Sequence, residues 1–127
     1  MGLDPNDKKP KDVSLAQAYE QIRQWYSKNL PLLRERMGER DYGKRSEALI
    51  KVLPPATELT DLEIRAVLGE VICGNLEWGY HETDGQYKMG AYAHGALEAA
   101  GVKWSFSDAE KQKLRGSALW PHLMISR

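Results

Sequence analysis

The sequence has one cysteine, one phenylalanine and no excess of either charge. Cys73 alone cannot close an intrachain disulfide, so no such staple holds the fold. It sits in the apolar run Val71-Ile72-Cys73, where a buried, inert thiol is expected. Eighteen basic side chains balance eighteen acidic ones. No whole-molecule field therefore draws the chain to nucleic acid or to a membrane surface. No apolar run approaches the ~20 residues needed to cross a bilayer. The N-terminus is polar and lacks the apolar segment of a secretory leader. Asn6 stands where a myristoylation signal needs Ser or Thr. A cytoplasmic location is expected.

The usual signatures of catalysis are missing too. There is no HExxH, EF-hand loop or CxxC pair, and no P-loop, dinucleotide fingerprint or GxSxG. The many carboxylates do not single out a pair for acid–base work. Cys73 is a poor nucleophile with His81 or His94, because its helix should be buried. The weak exception is metal chelation. His94 and Glu98 stand at i and i+4, with His81, Glu82 and Asp84 nearby in sequence. Spacings of this kind arise often by chance, so we expect a non-enzyme without a cofactor.

What the sequence does contain is helical periodicity. A chain of 127 residues suits one domain with a real core. Residues 1–13 mix charges with two prolines and read as a loose, disordered tail. Residues 14–127 read as a single helical domain. Three capping boxes, Ser14-x-x-Gln17, Thr60-x-x-Glu63 and Ser107-x-x-Glu110, each open a helix. After the first, Leu15, Ala18, Tyr19, Ile22, Trp25 and Tyr26 recur on one face to about Lys28. Pro31 should break or restart the chain, giving a short second helix to about Met37. A third is expected over 44–53, with Ala48, Leu49, Val52 and Leu53 inward and Pro54-Pro55 as its stop.

Residues 60–101 hold most of the apolar signal. Leu62, Ile64, Val67, Leu68, Val71, Ile72, Cys73, Leu76 and Trp78 cover most of a helix circumference. Only Glu63, Glu70 and Glu77 leave a continuous polar stripe. A helix apolar on so many sides has neighbours on several sides. We therefore expect an all-α protein, a compact bundle of five or six helices around a buried central helix at about 60–78. Gly69 and Gly74 inside that helix suggest close approach by another helix. A small-residue helix should follow over about 86–100, with Met89, Ala93, Ala96, Leu97 and Ala100 on one face and Gly101 as its end. The last helix should start at Ser107, bury Leu114 and Leu119, and stop at Pro121. The apolar tail 122–127 should pack on the domain or on a partner.

Charge is unevenly placed. Residues 1–59 carry eleven bases and nine acids, 60–101 two and seven, and 102–127 five and two. Either the central helices pair with oppositely charged flanks, or an acidic surface meets a basic partner. The turn over 78–87 is the clearest candidate surface. Trp78, Tyr80, His81, Glu82, Asp84 and Tyr87 combine aromatic anchors with acids that would steer a basic protein. The plain alternative is that Trp78 and Tyr80 close the bundle end. The leading expectation is a small binding or regulatory protein acting by protein–protein contact, such as an inhibitor, adaptor or immunity-like protein. A homo-oligomer through the Gly/Ala helix or the tail is a variant of it. The alternative is a nucleic-acid-binding helical module using Arg34, Arg36, Arg40, Lys44 and Arg45, with Lys111, Lys113 and Arg115. Interleaved Glu35, Glu39, Asp41 and Glu47 work against it.

Overall fold

In the computed structural model, which describes residues 14–37, 41–73 and 84–126, all three capping boxes are formed. The side chains at 33, 36, 37, 41–43, 73 and 84–89 are outside the description. Ser14 Oγ accepts the Gln17 N–H at 3.1 Å, and Ser14 N–H donates to Gln17 Oε1 at 2.9 Å. Thr60 with Glu63 and Ser107 with Glu110 repeat this exchange. Each pair satisfies amides that a helix start leaves free. The described residues form five α-helices: α1 Leu15–Met37, α2 Asp41–Val52, α3 Asp61–Cys73, α4 Asp84–Ala99 and α5 Asp108–Leu114. Short 3₁₀ turns follow at Ala56–Glu58, Trp120–His122 and Met124–Ser126, and no described residue is in a strand. None of these helices is long and apolar enough to cross a membrane.

Helix α1 corrects the sequence expectation, because it runs unbroken through Pro31. An interior proline removes one backbone bond and crowds the carbonyl four residues back, costing about 3 kcal/mol. Past the proline the helix is joined to α2 by an exposed ion pair. Arg34 Nε and Nη2 donate to the two oxygens of Glu47 on α2, at 2.8 and 3.0 Å. Leu30 packs against the core.

Helix α2 corrects the expected phase. Ser46, Leu49, Ile50 and Leu53 are buried, while Val52 is 42% exposed. The inward face is therefore 46, 49, 50 and 53 rather than 48, 49, 52 and 53. Beyond it, the Tyr19 hydroxyl donates to the Pro54 carbonyl at 2.7 Å. The Glu20 carboxylate accepts the Ala56 N–H at 2.5 Å. These bonds pin the Pro54-Pro55 corner to α1, and burial pushes the Tyr19 hydroxyl well above the ordinary tyrosine range.

Helix α3 packs against α1, α4 and α5, and residues 66–71 are all buried. Of its expected polar stripe, Glu77 lies outside the described residues, Glu63 is half-buried and Glu70 is buried. Glu70 is 1% exposed and accepts the Met124 N–H at 2.6 Å. Glu63 accepts the Ser117 hydroxyl at 2.5 Å. The two carboxylates fasten the C-terminal segment, whose Leu119 and Leu123 are buried in the core. The apolar tail thus packs on its own domain through residue 126. Helix α5 ends at Leu114, ahead of the expected stop, and Pro121 sits inside a 3₁₀ turn. On α4, Ala93, Ala96 and Leu97 are buried as expected, but Ala100 is exposed. Tyr92 is buried as well, and its hydroxyl donates to Gln21 on α1 at 2.8 Å.

The glycines divide by surroundings. A Cβ on Gly69 would lie 2.9 Å from Trp104 Cβ. The close neighbour is therefore the segment after α4, not another helix. A Cβ on Gly90 would meet open space. Gly90→Ala should raise stability by about 0.5–1 kcal/mol through helix propensity. Gly69→Ala should lower it by about 1–3 kcal/mol through overpacking. The urea midpoints of the two variants should move in opposite directions from the parent.

Several carboxylates gain their folded partners in the charged form. Burial alone would raise Glu63, but the Ser117 hydroxyl and Thr60 outweigh it and hold its carboxyl below the usual range. Hydrogen bonds from Arg34 and Lys51 hold Glu47 down to about 2. A lowered folded value means stability that is complete above the unfolded value and lost as pH falls through the folded one. The thermal midpoint should therefore drop on acidification from about pH 5 to pH 2. Glu63→Gln should flatten that drop, and an unchanged slope would remove Glu63 from the account.

Candidate protein-contact site

The structure gathers few of the residues that the sequence singles out. Trp78, Tyr80, His81 and Glu82 lie outside the described residues. Asp84 and Tyr87 fall in the first turns of α4, with side chains outside the description. Of the basic set, Arg40 lies outside, and Arg36 is placed on α1 by its backbone alone. Arg34 is exposed but paired with Glu47 on α2, which also takes Lys51 Nζ at 2.8 Å. Lys44 is exposed, and Arg45 is half-buried, with its Nε lacking a hydrogen-bond partner. One cation of the nucleic-acid alternative is thus already paired within the chain. His94 and Glu98 are both exposed on α4. Among the described residues, no three His, Cys, Asp or Glu side chains converge on a metal position.

A different set comes together where α4 ends. The Val102 N–H donates to the Leu97 carbonyl at 3.1 Å, and the Gly101 N–H to Glu98 at 3.0 Å. This is a Schellman cap, and it needs the left-handed φ of 73° that Gly101 adopts. The chain reverses there and crosses α3, where Arg65 grips it. Arg65 Nε donates to the Lys103 carbonyl at 2.8 Å and Nη2 to the Ser105 carbonyl at 3.2 Å. Nη1 donates to Glu110 at 2.8 Å. The guanidinium carbon lies 4.9 Å from the Phe106 ring centroid. All three guanidinium nitrogens are engaged, and the planar fork suits this job where a lysine would not. Glu110 is held below the usual range by the Ser107 amide and by Arg65.

Trp104 stands between the two gripped carbonyls. Its Cβ rests over Gly69, but its side chain leaves the residue 39% exposed. The ring forms part of a groove of about 390 Å³. Leu97 and Val102 give the less exposed base, His94 and Glu98 the α4 wall, and Lys103, Trp104 and Ser105 the loop wall. A larger hollow of about 530 Å³ lies between the start of α3 and the end of α5. There Thr60, Glu63 and Ser117 already bond one another. The α4 groove instead offers a held aromatic, an apolar base and polar groups free at the rim. Its lining can offer an apolar contact and hydrogen bonds to whatever enters it.

The sequence carried two signals for this site. Arg65 is the lone base in an otherwise apolar and acidic helix, and Trp104 is a large aromatic between Lys103 and Ser105. Sequence periodicity treats both as incidental, because their partners lie far along the chain. Comparison with known proteins finds no matching family model, no similar curated protein and no similar solved structure.

Proposed function

We propose that this protein is a small binding module that acts by protein–protein contact, with Trp104 as the anchor of its α4 groove. The observation that carries the proposal is a tryptophan kept 39% exposed on a segment whose flanking carbonyls Arg65 holds. Tryptophan is enriched among the residues that dominate binding energy. A backbone already fixed lowers the ordering cost of association. On this account α3 is the axis of the bundle, carrying Arg65 to the loop and Gly69 to the tryptophan. The 78–87 turn is a second contact surface in the same proposal, and the setting is cytoplasmic.

The test is quantitative affinity capture from the native host with the parent chain and Trp104→Ala. The partner recovered should fall at least about tenfold with the variant, since a buried tryptophan anchor typically contributes 2 kcal/mol or more. The melting curve should barely move, because alanine keeps the Cβ that rests over Gly69. Equal recovery from a folded Trp104→Ala chain would sink the proposal.

A further inference from the structure

The charge pattern of the α4 groove says what fills it. Glu98 stands on the α4 wall and Lys103 on the loop wall, both exposed. Among the described residues neither makes an ion pair within the chain. Beside them on the two walls stand His94 and Ser105, whose side chains can hydrogen-bond to either kind of neighbour. A wholly basic partner would be repelled by Lys103, and a wholly acidic one by Glu98. A second copy is repelled by neither. In an isologous contact, residue i of one copy meets j of the other, and j meets i. A two-fold axis along the groove lays the α4 wall of each copy on the loop wall of the other. Glu98 then faces Lys103 twice, and each Trp104 ring covers the apolar base that Leu97 and Val102 provide. The chain carries no net charge, so nothing at long range opposes self-association.

We infer that the occupant of the groove is a second copy of this chain, joined as a two-fold dimer through Trp104, Glu98 and Lys103. This rests on the groove being a contact site, and it replaces the basic partner expected from sequence with a self-complementary one.

Sedimentation equilibrium of the full chain from about 1 µM to 1 mM spans weak to moderate association. A monomer–dimer equilibrium is expected. Glu98→Lys or Lys103→Glu alone should raise the dissociation constant about tenfold, because each reversal acts twice across the axis. The double variant, Glu98→Lys with Lys103→Glu, should return it to within about threefold of the parent, since the pairs are restored with their signs exchanged. Trp104→Ala should raise it at least about a hundredfold. A monomer throughout, or a dimer indifferent to these reversals, overturns the inference. A monomer whose capture of another protein still depends on Trp104 overturns the inference and leaves the contact site standing. A monomer with no Trp104-dependent capture removes both.

Discussion

Arg65→Ala is expected to lower the unfolding free energy by about 2–4 kcal/mol and to release the segment from 103 to 106. The ion pair with Glu110 is a minor part of this. Glu110 is about one-third exposed, and solvent screens such pairs. The larger part is the pair of charge-assisted bonds to the Lys103 and Ser105 carbonyls, with the Phe106 ring over the guanidinium. Arg65→Lys should recover only a minority of the loss, because an ammonium cannot serve three acceptors in one plane. Urea unfolding measures the total, and amide exchange at residues 103–107 locates it. A loss below about 1 kcal/mol with unchanged protection would mean that Trp104 over Gly69 holds the segment by itself.

Glu70→Ala is expected to cost about 3 kcal/mol or more and to loosen the C-terminal turns. Glu70 is almost fully buried, so its loss leaves both a cavity and an amide at Met124 without its carboxylate acceptor. Leu123, buried one residue before that amide, should become accessible. Glu70→Gln should cost much less, since Oε1 can still accept the same N–H. Limited proteolysis should cut the alanine variant near residues 120–126 and spare the parent and the glutamine variant. Equal resistance in all three would show that Leu119 and Leu123 anchor the tail without Glu70.

These two positions also mark where sequence stops being informative. The capping boxes at Ser14, Thr60 and Ser107 were legible because both partners lie within one turn. The Gly101 cap was legible for the same reason. Glu70 was not, because its spacing from Glu63 and Glu77 imitates a solvated stripe, while the amide that covers it arrives 54 residues later. Arg65 was opaque likewise, with partners 38 to 45 residues away. Helix α2 offered apolar residues at 48, 49, 50, 52 and 53, so more than one face fitted, and packing against α1 chose between them. Pro31 was a true local signal, yet the continuation of α1 is tied to α2 through Glu47. Trp104 falls between the helix end at Gly101 and the capping box at Ser107, outside either helical pattern, and only the grip on its flanking carbonyls makes it a presented side chain.

The most direct measurement places a photoreactive phenylalanine analogue at position 104 of the full chain, expressed in the native host. Irradiation should trap a single discrete adduct, with a mass twice that of the chain. The same analogue at Ala109, exposed on α5 outside the groove lining, should trap none. A chain that stays uncrosslinked at 104, or one that gives the same adduct from both positions, contradicts the account.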